Sequence, residues 1–130
     1  MRLTQVAQHA DDLDRAERFY ATLLGAPPVA RFDPPGLLFF ELGGTRLLLD
    51  VEAPSALLYL AVPGMRARLE ELRAAGVEVH TEPHLIFRHE DDRLGPAGTD
   101  EWQAFIRDSE GNLVGLIEQV PSAGLDPDRA

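Results

Sequence analysis

Apolar positions along the chain change period in a fixed order, and the order occurs twice. "LTQVAQHA" (residues 3–10) reads as a strand, Asp11 or Asp12 then stands where a helix cap belongs, and Leu13, Ala16, Phe19, Tyr20, Leu23 and Leu24 recur at helical spacing. Gly25 ends that helix. Three strand-like runs follow, "PVARF", "LLFFEL" and "TRLLLDV", separated by "DPPG" and "GG". At Ala56 the order restarts: "ALLYLAV" is a strand, Pro63 opens a helix carrying Met65, Leu69 and Leu72, and Gly76 ends it. "VEVHTEPHLIF", "EWQAFIRD" and "NLVGLIE" supply three more strands. The first strands lie 52 residues apart (Gln5 to Leu57) and the helix-ending glycines 51 apart (Gly25 to Gly76). The pattern predicts an α+β fold of two tandem βαβββ modules, about residues 3–52 and 56–119, in one domain spanning 1–120. The tail 121–130, "PSAGLDPDRA", has no periodic pattern and is expected to be flexible or laid across a partner.

Composition narrows the function. At 130 residues and 45% hydrophobic, the chain makes one domain with a real core. No apolar run approaches the roughly 18 residues of a membrane span and the N-terminus has no signal-like apolar region, so a cytoplasmic protein without a membrane partner is expected. A net charge of −10 disfavours nucleic acid, whose phosphates require clustered cations. There is no cysteine, which removes thiolate ligands, disulfides and a cysteine nucleophile. Lysine is missing too: all twelve basic residues are arginine, which excludes Schiff-base chemistry and a P-loop lysine. Ser55, Ser109 and Ser122 sit in no nucleophile-elbow context. What remains for chemistry is histidine, carboxylate, tyrosine, arginine or a bound metal.

Three of the four histidines and four carboxylates fall within "HTEPHLIFRHEDD", residues 80–92. Zinc or iron binding requires converging imidazoles. Val77, Val79, Leu85, Ile86 and Phe87 mark this stretch as strand, and Pro83 opposes a helix that would stack His80 on His84. Extended, those two lie about 13 Å apart and cannot share an ion. His84 and His89 differ in parity and point to opposite faces unless the chain bends between them. The following segment "HEDDRLGPAGTD" is either a mobile loop or a cover that brings His84 or His89 to a ligand.

"DLDRAERFYATLLGA" and "AFIRDSEGNLVGL" resemble the signatures of the vicinal oxygen chelate superfamily, which includes glyoxalase I, bleomycin-resistance proteins, fosfomycin-resistance enzymes and extradiol dioxygenases. The resemblance covers about residues 3–119. It implies two βαβββ modules forming an open β-barrel around a pocket, often within a homodimer. Metal-dependent members draw ligands from the first and last strands of each module, and the matching positions here are Gln5, Leu48, Leu57 and Gly115. Leucine and glycine offer no donor atom, and one neutral amide cannot hold a divalent ion, so no metal and no cofactor are expected.

If Gln5 faces inward, alternation places Ala7 and His9 beside it, with Leu57, Tyr59 and Ala61, and Leu113, Gly115 and Ile117, on the partner strands. Gly115 would leave room for a ligand or a neighbouring side chain. The residues expected to bind a ligand are Gln5, His9, Tyr59, His84 and Trp102, with no catalytic residue assigned. Two functions follow from the resemblance. One is a metal-independent protein that binds a small organic molecule, as bleomycin-resistance proteins do. The other is a lyase, isomerase or dioxygenase whose metal or acid–base group has moved to His9, His84 and His89 with Glu82 or Glu90.

Overall fold

A computed structural model of the chain describes residues 1–122. It holds ten elements in the order β1 (Gln5–His9), α1 (Leu13–Leu24), β2 (Ala30–Phe32), β3 (Leu37–Leu42), β4 (Thr45–Asp50), β5 (Leu58–Ala61), α2 (Met65–Ala74), β6 (Val79–Arg88), β7 (Thr99–Arg107) and β8 (Leu113–Pro121). This is βαβββ twice. The strands form two four-stranded sheets, ordered β1-β4-β3-β2 and β5-β8-β7-β6. The described residues fall into two compact units: Met1–Leu58 with Arg107–Val114, and Tyr59–Ile106 with the chain from Gly115 onward. No helix among the described residues is long and apolar enough to cross a membrane.

In the first unit Asp12 caps α1 by accepting from the Arg15 backbone N–H at 3.1 Å, and Gly25 closes it in the left-handed conformation at φ 70°. Leu13, Ala16 and Tyr20 are the buried stripe of α1. They belong to a core with Leu38, Phe40, Leu47 and Leu49, in which the Tyr20 and Phe40 rings lie 6.2 Å apart. β1 runs parallel to β4 with Gln5 opposite Arg46 and His9 opposite Asp50, while β3 is antiparallel to both β2 and β4. Gln8 is fully buried next to the Tyr20 hydroxyl, and its amide has no partner in hydrogen-bonding geometry among the described residues.

The turn "DSEGN" between β7 and β8 is held by one carboxylate. Asp108 accepts from the backbone N–H groups of Glu110 (2.8 Å) and Asn112 (2.7 Å), from the Asn112 amide (2.9 Å) and from the Tyr20 hydroxyl (2.6 Å). Burial, and after it the neighbouring Asp108 charge, raise the Tyr20 phenol far above its ordinary value, so it stays protonated and donates. Asn112 in turn donates to the His9 carbonyl at 2.8 Å and accepts from Ser55, whose hydroxyl oxygen accepts from the His9 N–H at 3.1 Å. Satisfied polar networks of this kind fix one backbone geometry, here that of the end of β1.

In the second unit Met65, Leu69 and Leu72 are the buried residues of α2, with Ala104, Ile106 and Leu116 in the same core. The helix begins two residues after Pro63, with Gly64 at φ 67° as its N-cap. Having no side chain, Gly64 cannot cap; the Glu118 carboxylate does so by accepting from the Gly64 and Met65 N–H groups at 2.6 and 3.3 Å. β6 lies at the sheet edge, and its pairing with β7 shifts register three times. β8 continues through Pro121, and Ser122 bonds to Gly98 and Asp100. The rest of the expected tail, 123–130, lies outside the described residues.

Candidate functional site

Simple alternation breaks down on β6. Its paired positions are Thr81 with Phe105, His84 with Gln103, and Phe87 with Glu101, at three-residue steps on β6 against two-residue steps on β7. Each bulge turns one residue aside, so Thr81, His84 and Phe87 share the sheet face of Phe105, Gln103 and Glu101. His89 joins that face as well, since its ring reaches Glu101 at 3.0 Å and packs on Phe87 with centroids 4.7 Å apart. The strand therefore bends between His84 and His89 in the way that equal facing required.

This face has an aromatic end and a polar end. At the aromatic end Tyr59, 48% exposed, lies edge-on to Phe105 at 5.8 Å and covers Gly115. A Cβ built on Gly115 would meet Tyr59 carbons at 2.7 and 2.9 Å and Phe105 at 3.1 Å. The room beside Gly115 is thus filled by a side chain of the same unit.

At the polar end the Glu101 carboxylate collects three N–H donors: His89 Nε2 at 3.0 Å, Gln103 Nε2 at 3.1 Å and Gln119 Nε2 at 3.2 Å. Burial pushes its pKa up, but the bonds from Gln119, Gln103 and His89 outweigh it and leave the carboxyl below its ordinary value. His89, only 3% exposed, is the floor of a cleft of about 430 Å³ lined also by Phe87, Arg88, Glu90, Asp91, Arg93 and Leu94. Asp91 and Arg93 neutralise each other at 2.9 Å, whereas Arg88 and Glu90 have no ion-pair partner among the described residues.

The other expected site residues separate. Trp102 lies on the α2 side of the second sheet, its ring 5.1 Å from the Arg66 guanidinium, so it is not on the face of Tyr59 and His84. His84 is exposed and its Nδ1 donates to the Glu82 carbonyl at 3.1 Å. Glu82 itself is taken by Arg73 at 2.5 Å, and His80 bonds to its neighbour Thr81.

In the first unit, Gln5 Oε1 accepts from Arg46 Nε at 3.0 Å, and that guanidinium also sits over Phe39 at 5.8 Å. His9 Nε2 bonds to Asp11 at 2.7 Å and Nδ1 to the Ala53 carbonyl at 3.1 Å. Both partners are pure acceptors, so the pairing favours the imidazolium, in which both nitrogens donate. The Asp11 hydrogen bond is the main reason that its pKa is raised.

A divalent ion does not fit the four positions that the superfamily resemblance marks. Gln5 already accepts from a cation, Leu48 is buried, Leu57 precedes β5 as an exposed apolar residue, and Gly115 lies under Tyr59. Among the described residues no group of three or more histidine and carboxylate side chains is placed to hold a metal. Glu101, Gln103 and Gln119 were not singled out by sequence reading. The one available signal was the two-residue spacing of Glu101 and Gln103 on a strand, and it is indistinguishable from an ordinary solvent-facing stripe.

No protein-family model and no curated protein matches the chain. Solved structures match over nearly the whole length. TnmS3, an antibiotic binding protein from a Streptomyces species, has a TM-score of 0.70 at 22% identity over 92% of this chain and 97% of that one. A glyoxalase/bleomycin resistance protein/dioxygenase from Alicyclobacillus acidocaldarius has a TM-score of 0.64 at 19% identity, covering 98% and 94%. The fold is that of the vicinal oxygen chelate superfamily. A lactoylglutathione lyase from Agrobacterium tumefaciens superposes as well, with a TM-score of 0.61, 25% identity, and 90% and 92% of the two chains covered. Neighbours with one fold thus carry the names of a binding protein and of an enzyme, and fold alone does not choose between them.

Proposed function

We propose that this vicinal oxygen chelate protein binds a small organic molecule without a metal and without transforming it, in the manner of the antibiotic binding neighbour. The observation that carries the reading is the fate of the superfamily's metal positions. Donor atoms there are replaced by aliphatic carbon and glycine, and the remaining amide of Gln5 is committed to Arg46. A cation would have to displace a guanidinium and then bind a single neutral oxygen. What is left is suited to organic ligands: an exposed tyrosine edge-on to Phe105, and a polar cluster at the other end of the same sheet face. The protein is further proposed to act in the cytoplasm as a homodimer, with neither nucleic acid nor membrane as partner.

Metal analysis of protein purified without chelator or histidine tag tests the first half and is expected to find only substoichiometric divalent ions. One tightly held ion per chain would refute it. For the second half, a thermal-shift screen of aromatic compounds should yield ligands, and Tyr59→Ala should weaken them by roughly two- to thirteen-fold, the loss of one aromatic contact. A screen without hits, or hits indifferent to Tyr59, would count against this face. Sedimentation at micromolar concentration is expected to show a dimer.

A further inference from the structure

Pairing registers give the first sheet two distinct faces. Residues opposite one another share a face, and so do residues two apart on a strand, which puts Gln5 of β1, Arg46 and Leu48 of β4, Glu41 and Phe39 of β3, and Phe32 of β2 together. The opposite face packs in the core with Tyr20 of α1. The two faces treat arginine differently. Arg31 of β2, on the helix side, has three carboxylates within 3.5 Å, those of Asp14, Glu17 and Asp33. Arg46 has none among the described residues, in a chain with 22 acidic and 12 basic side chains. Glu41 stands opposite Arg46 in register, yet its carboxylate is turned to the β3–β4 turn, where it accepts from the Gly44 N–H at 2.5 Å.

The Arg46 side chain runs inward along the face instead. Phe39 lies one same-face position further into the sheet, and the guanidinium carbon is 5.8 Å from the centre of its ring. Gln5 Oε1 accepts from Arg46 Nε at 3.0 Å and fixes the plane of the group. Of the five N–H donors, the four on the two Nη atoms then have no acceptor among the described residues. Two such nitrogens in one plane form the fork that a carboxylate meets with both oxygens. Beside the fork is an aromatic surface: Phe32, 54% exposed, stands edge-on to Phe39 with centroids 6.1 Å apart. Fork and rings are held before any ligand arrives, which lowers the cost of ordering them on binding.

We propose that this face binds an aromatic carboxylate, whose two oxygens accept from Arg46 Nη1 and Nη2 while its ring packs against Phe32 beside Phe39. A monoanion suits the site better than a dianion, because Glu41 one strand away opposes each added negative charge. The assignment rests on the small-molecule reading above and names a class of molecule for it.

The probes are 2-naphthoate and 2-naphthamide, alike in shape and different in charge. Binding is read on the full-length protein by nitrogen-15 NMR of the arginine Nε–H groups. The carboxylate should bind saturably, move the Arg46 resonance, and bind at least about tenfold more tightly than the amide, as expected for hydrogen bonds between charged groups. Arg46, Glu41 and Phe32 are exposed, so their variants should fold with urea midpoints near that of wild type. Arg46→Gln should lose a similar factor for the carboxylate, and Arg18→Gln, which removes an arginine of α1, should lose nothing. Glu41→Gln keeps an acceptor for Gly44 and should tighten the carboxylate about twofold. Phe32→Ala should weaken both probes alike. Equal affinity for the two probes, or carboxylate binding that survives Arg46→Gln or falls equally with Arg18→Gln, overturns the proposal. If the amide binds while the carboxylate does not, the carboxylate assignment falls and the small-molecule reading stands; if no organic compound binds, both fall.

Discussion

His9 shows how a single side chain carries information that its position in a pattern does not. Alternation placed it on the face of Gln5, and the structure adds that both ring nitrogens meet acceptors, Asp11 and the Ala53 carbonyl. The Asp11 hydrogen bond raises its pKa above the reference value of 6.5, with smaller contributions from the Asp11 charge, Ala53 and Glu110. Because the folded value is the higher one, the stabilisation is complete below pH 6.5 and is lost as pH rises through the folded pKa. The advantage of wild type over His9→Gln in urea midpoint should therefore be largest at mildly acidic pH and shrink on going alkaline. An NMR titration should place the His9 midpoint above 6.5. A midpoint at or below that value would mean that the two hydrogen bonds do not hold the charged ring.

At the scale of elements, the first helix is tied to the β7–β8 turn through Glu110. Its carboxylate accepts from Arg15 Nε (2.7 Å) and Nη2 (3.0 Å), from the Asp12 N–H (2.9 Å) and from Ser109 (3.0 Å). Burial alone would raise its pKa, but Arg15, the Asp12 N–H and Ser109 prevail and bring it from 4.5 down to about 2. The stabilisation is present above pH 4.5 and is lost as pH falls toward 2. That shift corresponds to roughly 3 kcal/mol, and Arg15 is half exposed, so screening reduces the expected cost of Glu110→Gln to ~2 kcal/mol at pH 7. Urea unfolding should show that deficit at neutral pH and its disappearance near pH 2. A pH-independent deficit would point to packing instead of charge.

For the molecule as a whole, a formal net charge of −10 in a chain with no lysine makes self-repulsion the dominant long-range term. Salt shortens the Debye length from about 30 Å at 0.01 M to about 8 Å at 0.15 M, which weakens repulsion between distant carboxylates more than bonds formed at 3 Å. Sodium chloride is therefore expected to raise the thermal midpoint over that range. A fall would show that local pairs such as Arg15 with Glu110 outweigh the general repulsion.

Periodicity sufficed for the order of elements, because strand and helix periods are set by the backbone and each segment's apolar face repeats with its own period. "LLFFEL" is β3 without a residue's error, and Asp12 and Gly25 bound α1 as a cap and a left-handed turn demand. Ligand-position residues without donor atoms were likewise visible, since a side chain's chemistry does not depend on its surroundings. Facing was legible only where strands are regular. On β6 three register shifts, which depend on pairing with β7, moved His84, Phe87 and His89 to one face against the count by twos. Trp102, expected beside a ligand, faces α2, away from Tyr59. The cluster of His89, Glu101, Gln103 and Gln119 joins residues from three stretches of chain. Such proximity is decided by which strands pair and in what register, an energy of long-range packing that no local window of sequence contains.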